Sequence, residues 1–447
     1  MKSYRKSGIN NVYVETYGCQ MNVNDSEIVS AILNNSGMQL SNQPENADII
    51  FLNTCSVRDN AERKIHERLM HLRQYKKKNP RLIVGVLGCM AERLKASLLE
   101  EEPIVNMIVG PDEYRKLPEL IEHTIESYED RGIAVKLSRV ETYDDIEPLR
   151  KEGISAWLSI MRGCNNFCSY CVVPYTRGRE RSRPFDSIID ESRKLMDQGY
   201  KEITLLGQNV NSYENKGSGF PELLDQVARS VPGVRIRFTT SHPKDFSMEL
   251  AQTMAANKNI CKHIHLPVQS GSDKILQIMN RGYTIGDYME KVDMIRDTMP
   301  GCSLTTDIIA GFPTETWDDH QKTIDALKQI KYDGAFTFRY SPRKGTRAYK
   351  LEDSVPEDEK INRLQEIIDQ QLEISQSQND QEIGKIHEVL IEGDSKRDKN
   401  KLMGRTDTNK VAIFPKTDYD LKSGDLVDIK ITNASPATLF GEIVKSK

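Results

Sequence analysis

No apolar run in the 447 residues approaches the roughly 20 that carry a helix across a bilayer, and hydrophobic residues make up only 38% of the chain, so the sequence reads as a soluble protein. An export signal is missing too: Met1-Lys-Ser-Tyr-Arg-Lys6 is basic, but polar residues follow it where a signal peptide has its apolar stretch. Without export, the eight cysteines belong in a reducing cytoplasm, where thiolates bind metal rather than pair. Charge of one sign is also lacking. A formal net charge of −4 gives no global basic field for nucleic acid, and leaves any such binding to local patches. The length allows two or three domains, each with its own core.

What is present centres on Met161-Arg-Gly-Cys164-Asn-Asn-Phe-Cys168-Ser-Tyr-Cys171. Cysteines at Cys-x3-Cys-x2-Cys spacing fit three corners of a cubane iron–sulfur cluster and leave its fourth iron without a protein ligand. Structural zinc would want a fourth Cys or His nearby, and none stands between Cys171 and His242. A structural or electron-transfer cluster is the other reading, and it usually has four protein ligands. The spacing resembles the radical S-adenosylmethionine (SAM) superfamily. That resemblance implies SAM bound to the open iron and reductively split to a 5′-deoxyadenosyl radical.

Upstream, one pattern occurs three times. Strand-like Asn11–Gly18 ends at Cys19, and a helix follows with Asp25-Ser-Glu27 in its first turn. Ala47–Thr54 ends at Cys55 before a long polar helix from Asn60 to Lys78, and Arg81–Gly88 ends at Cys89 before a helix beginning near Ala91. Strands of a parallel α/β sheet all point one way, so these thiols should gather along one edge. A second cubane with three protein ligands would suit them; three inert buried thiols is the plainer alternative. The words around them, Thr16-Tyr-Gly-Cys-Gln-Met-Asn22, Asn53-Thr-Cys-Ser-Val-Arg58 and Gly88-Cys89, resemble the amino-terminal domain of the methylthiotransferases, a radical SAM branch. The resemblance implies that Cys19, Cys55 and Cys89 carry an auxiliary 4Fe-4S cluster beside the one on Cys164, Cys168 and Cys171. Within the branch the words are similar to enzymes that make 2-methylthio-N6-isopentenyladenosine in tRNA.

The expected fold class is α/β: residues 1–150 form a parallel-sheet domain with a polar linker from Tyr143 to Gly153, 151–382 a radical SAM core, and 383–447 a small β-barrel. Strands at Trp157–Met161, Glu202–Leu206, Arg235–Thr239, His263–Leu266, Leu304–Ile309 and Ala335–Tyr340 make an open (β/α)6 partial barrel, with its site at the carboxyl ends of the strands. By resemblance, Tyr170, Gly207, Gln208, Asn209, Gln269, Asp307 and Arg343 at that rim surround SAM; for each polar residue alone a cap or turn role stays equally open. Arg177, Arg179, Arg181 and Arg183 alternate, and an extended backbone would point them to one side as a positive face for tRNA phosphates or, for the nearest, the SAM carboxylate. A solvated charge run is the other reading. Cys261 and Cys302 read as core thiols.

A helix from Pro356 to about Gln381 leads to five short strands, which suit a small closed barrel. These resemble the TRAM module, with Lys396 and Arg397 in a basic loop for tRNA phosphates; a barrel with no RNA role is the alternative. Taken together, the resemblance implies methylthiolation of carbon 2 of N6-isopentenyladenosine at position 37 of tRNA, with two 4Fe-4S clusters and two SAM per turnover. Its partners are the anticodon stem-loop and an electron donor of unknown identity. No membrane is involved, and a monomer is expected. A protein methylthiotransferase and a non-catalytic iron–sulfur RNA-binding protein are the competing readings.

Overall fold

The computed structural model describes residues 9–444 except 57–58, 129, 151–152 and 417–419. Val57 and Arg58 of the second cysteine word, the basic Met1–Lys6 and part of the linker therefore lie outside the described residues. The amino-terminal unit is a wholly parallel sheet of β1 (Asn11–Tyr17), β2 (Gln39–Leu40), β3 (Ile49–Thr54), β4 (Ile83–Gly88), β5 (Met107–Val109) and β6 (Gly132–Ala134), in the order β2-β1-β3-β4-β5-β6. Every residue of β3 and β4 is buried, as the apolar runs Ile-Ile-Phe-Leu and Ile-Val-Gly-Val-Leu require of strands covered on both faces.

The helices start earlier than expected. α1 (Gln20–Asn35) begins straight after Cys19, so Asp25 lies in its second turn and is fully buried instead of facing the dipole. α2 spans Asp59–Lys78, and α3 (Cys89–Leu94) begins at Cys89 itself. The linker read from Tyr143 is also corrected at its first residue: Tyr143 is buried, stacks on Tyr114 and bonds to Pro111 O.

The central unit has β7 (Ser155–Ser159), β8 (Glu202–Leu206), β9 (Arg235–Thr239), β10 (His263–His265), β11 (Ser303–Ala310) and β12 (Gly334–Arg339). They form two three-stranded parallel sheets, β7-β8-β9 and β10-β11-β12. Ile236 joins them, donating to Asn259 O (2.8 Å) and accepting from Cys261 N (2.9 Å). One apolar core runs across both sheets and their helices, so the six strands act as a single open barrel.

A helix, Glu357–Asp380, leads to a closed barrel of β13 (Ile386–Asp394), β14 (Lys401–Thr406), β15 (Val411–Pro415), β16 (Leu426–Ser435) and β17 (Thr438–Ile443), ordered β13-β14-β15-β17-β16 around Val389, Ile391, Phe414 and Ile429. The turn after β14 docks on residues at the starts of the central strands. Arg235 donates to Arg405 O (2.7 Å), Arg237 to Thr406 O (2.7 Å) and Asp407 O (3.0 Å), and Lys410 pairs with Asp333 (2.7 Å). The small barrel thus closes the end of the central unit opposite its carboxyl rim. Among the described residues no helix is long and apolar enough to cross a membrane.

Candidate active site

Strand register gathers the first three cysteines. Tyr17 pairs with Thr54 and Thr54 with Gly88, and Cys19, Cys55 and Cys89 follow just beyond these residues on adjacent strands. Glycine is required at the approach: Gly18 has φ +148°, and a Cβ there would lie 2.7 Å from the Cβ of Cys55. Cys19 opens to solvent at the start of α1, while Cys55 and Cys89 are buried. The Cys19 thiol is pulled down to about 6, first by its hydrogen bond with Cys55 and then, against burial, by the Arg177 guanidinium. Burial pushes the Cys89 thiol up, with Arg177 opposing.

The second trio sits on the loop after β7. Cys164 N donates to Gly178 O (3.1 Å), Cys171 N to Cys168 O (3.0 Å) and Ser169 N to Met279 O (2.9 Å). Phe167, between the first two cysteines, is held at φ +50° with the Arg179 guanidinium 4.5 Å from its ring centre. Arg281 is buried beside the trio, donating from Nη1 to Cys168 Sγ (3.3 Å) and Tyr170 Oη (3.4 Å) and from Nη2 to Pro267 O (2.8 Å). Burial pushes Cys164 up to about 11 and Cys171 up to about 12, so these thiols ionise when a metal takes the proton's place. Among the described residues no three Cys, His, Asp or Glu side chains close around a single ion. A cubane asks for a looser triad, one thiolate per iron, and both cysteine sets are chemically suited to it.

The rim around the second trio holds buried polar atoms with no hydrogen-bond partner: Ser169 Oγ, Gln208 Oε1, Ser241 Oγ, His242 Nε2 and Tyr340 Oη. Unpartnered buried atoms also occur elsewhere in the described residues, and these five stand at the carboxyl ends of the strands, where a polar ligand would satisfy them. Gly207 lies in the same rim, packed against Met161. Gln269 is held at φ +71° with its backbone bridged to Asp307 O (2.9 Å) and Ile309 N (3.0 Å), a conformation that costs a non-glycine residue energy. Asp307 faces His265 at 3.4 Å, with Phe336 edge-on to the same imidazole. Asn209 departs from the expected cofactor contact: its Nδ2 donates to Asp245 (2.7 Å) and its Oδ1 accepts from His242 N (3.1 Å), so its amide ties two rim loops together. Arg343 lies 3.7 Å from a carboxylate of the chain itself, that of Glu62 on α2.

The expected row of outward arginines is not what forms. Arg177 pairs with Asp25 (2.7 Å), Arg181 with Asp112 (2.8 Å) and Arg183 with Glu191 (2.7 Å), all three buried, while Arg179 is exposed. The extended stretch there is only Arg181–Ser182, and the segment runs between two domains, so alternation sends the side chains into an interface. Lys396 and Arg397 are exposed on the loop between β13 and β14. Sequence reading missed Asp25, Arg162 and Arg281. Arg162 is fully buried, donating to Asp25 (2.9 Å) and Pro111 O (3.1 Å). The legible signal was for Arg281 alone, whose neighbours Asn280 and Gly282 both take positive φ and turn it inward.

Comparison with known proteins agrees with this layout. Residues 11–110 match the model described as uncharacterized protein family UPF0004, residues 158–327 the radical SAM superfamily and residues 380–444 the TRAM domain. A protein of Chloroherpeton thalassium named tRNA-2-methylthio-N(6)-dimethylallyladenosine synthase is 55% identical over 96% of this chain and 95% of its own length. One of the same name from Parabacteroides distasonis is 52% identical over 100% and 98%. Among solved structures, the radical SAM methyltransferase TsrM of Kitasatospora setae, with tryptophan substrate and a SAM analogue bound, shares the fold at a TM-score of 0.56 and 14% identity, over 73% of this chain and 72% of its own.

Proposed function

The chain belongs to the family of tRNA-2-methylthio-N(6)-dimethylallyladenosine synthases, and from that premise we propose that it places sulfur and a methyl group on carbon 2 of N6-isopentenyladenosine at position 37 of tRNA, using two SAM per turnover. Two cysteine trios, one just beyond the amino-terminal strands and one on the loop after β7, carry this reading: Cys164, Cys168 and Cys171 would hold one 4Fe-4S cluster with SAM, and Cys19, Cys55 and Cys89 a second. When bound, the first cluster and SAM supply radical chemistry, which carbon 2 of adenine needs because it is neither nucleophilic nor acidic.

The chain's own residues then bind, orient and exclude water. Gly207, Gln208, Gln269 and Asp307 line the place for SAM, with the unpaired Ser169, Ser241 and His242 atoms available to its polar groups. Phe336 is 57% exposed against His265, offering an aromatic face where a base drawn out of the anticodon loop could stack. Lys396, Arg397 and Arg179 are the exposed cations for tRNA phosphates. The enzyme is read as a cytoplasmic monomer served by a separate electron donor.

Anaerobic turnover tests the proposal. The protein is loaded with iron and sulfide, given SAM and a reductant, and offered isopentenylated beside threonylcarbamoylated tRNA, with nucleosides read by mass spectrometry. A methylthio group on isopentenyladenosine alone is expected. Reaction of only the other tRNA overturns the substrate, and SAM cleavage with neither tRNA altered turns the search to a protein substrate.

A further inference from the structure

Resting on the reading that tRNA is the substrate, we propose that the loop after β12, residues 341–350, is a lip over which the anticodon loop enters: Lys344, Arg347 and Lys350 hold phosphates of nucleotides beside the target base, and Tyr349 stacks on a neighbouring base. The stretch Ser341-Pro-Arg-Lys-Gly-Thr-Arg-Ala-Tyr-Lys350 carries four cations and no carboxylate, in a chain whose formal net charge is −4. A polyanion needs such a local patch where the global field does not attract it. One of the four cations is committed inward, since Arg343 lies 3.7 Å from Glu62. Lys344, Arg347 and Lys350 are exposed and form no ion pair among the described residues. Of the next carboxylates downstream, Glu352 and Asp353, the second is held by Lys360. Tyr349 is 50% exposed between Arg347 and Lys350. Cations for the backbone interleaved with an aromatic face for the bases are what single-stranded nucleic acid binds.

The loop also stands where the substrate must come. Ala348 N donates to Ser169 O (2.8 Å), which sets the loop against the residue that follows Cys168. Towards its start, Arg343 meets Glu62, which accepts from Ser56 Oγ (3.2 Å) beside Cys55 and pairs with Arg93 (2.7 Å), four residues past Cys89. One short loop thus touches the segments of both trios. It is held still as well: Ala348 is buried with Ile275, Phe312 and Tyr340, Thr346 Oγ1 donates to Arg343 O (2.8 Å), and Tyr349 N donates to Thr346 Oγ1 (3.3 Å). With Ala348 fixed, Arg347, Tyr349 and Lys350 are presented outward, so an incoming strand meets a surface already ordered. An acidic protein would find the same cations, but the half-exposed ring favours RNA, because every base offers a face to stack on.

Binding of the full chain, loaded with iron and sulfide, is read by fluorescence anisotropy against an isopentenylated anticodon stem-loop and against the full tRNA. Lys344→Ala with Arg347→Ala and Lys350→Ala is expected to weaken both alike and to lower the salt slope by about 2, at about 0.7 per single-strand phosphate, so that the wild type's advantage shrinks about sixteenfold between about 50 and about 200 mM salt. Tyr349→Ala should weaken both RNAs by about fivefold or more with the slope kept, while Tyr349→Phe binds as the wild type does. Unchanged affinity in the triple variant or in Tyr349→Ala overturns the proposal. If the triple variant binds RNA as before and instead slows reduction of the enzyme by an acidic electron-carrier protein, the surface belongs to that partner and the proposal falls. Weakening confined to the full tRNA places the loop on another arm and overturns it too. A wild type that binds neither RNA defeats the tRNA reading itself, a failure distinct from a wild type that binds RNA and ignores these four residues.

Discussion

Removing one thiol at a time separates the two trios. Cys168→Ala is expected to abolish 5′-deoxyadenosine formation, because Cys168 sits beside Arg281 in the trio proposed to engage SAM. Cys55→Ala should spare SAM cleavage and stop methylthio transfer; product retained in that variant would take the auxiliary trio out of the reaction. His263 gives a pH signature. Burial first, then Arg237, His265 and Arg405, hold it down to about 3, against an ordinary 6.5 in the unfolded chain. Between those values the unfolded chain binds the extra proton, so the stability is complete above 6.5 and drains as the pH falls towards 3. Urea titrations of wild type and His263→Gln, which can still bond Thr305, should converge by about 1 kcal/mol on going from about pH 7.5 to about pH 5.5; a constant gap would mean that the imidazole takes up its proton in the fold as readily as in the unfolded chain. Single residues were the least legible scale. Asp25 and Asp112 stand far from the arginines they neutralise, 152 positions in the case of Asp25 and Arg177 and 69 for Asp112 and Arg181, and no local pattern announces a pair that only folding creates.

Secondary structure was read more securely. All six central strands and all three strand–cysteine junctions stand within two residues of where the sequence pattern placed them, and β3 and β4 show why: a parallel strand covered on both faces is continuously apolar and stops where its polar function begins. Helix starts were displaced, since Cys19 and Cys89 serve as first-turn residues that propensity does not favour. On α1, Asp25→Ala would leave Arg177 buried without its carboxylate and Arg162 with Asp112 alone, at 3.7 Å, and a loss of about 3–5 kcal/mol in chemical denaturation is expected. A loss below about 1 kcal/mol would mean that water already reaches the pair. Where the turn after β14 docks, Arg237→Ala on β9 removes the bonds to Glu202, Thr406 and Asp407 together. About 3 kcal/mol should go, and proteolysis between Glu382 and Lys385 should begin before the central unit opens; uniform cleavage would show that other contacts hold the small barrel.

Across the whole molecule, the order of units was legible and their mutual fastening was not. The docking of the turn after β14 on the starts of β9 and β12 depends on Arg235, Arg237 and Asp333, which look like ordinary strand-flanking charges until the barrel arrives. Lys396→Ala with Arg397→Ala should weaken tRNA binding alike for every sequence and lower the salt slope by about 2. An unchanged slope in a filter-binding titration would place the phosphates elsewhere. The apolar cores of the three units are complete without any of the six cysteines of the two trios, which stand just beyond the strand ends, on loops or, for Cys89, at the first residue of α3. With clusters on those cysteines, oxygen that stripped the iron would injure the segments at the strand ends and leave the frame standing. A bleached molecule can therefore be recharged where it lies, whereas a zinc finger deprived of its ion unravels and must fold again.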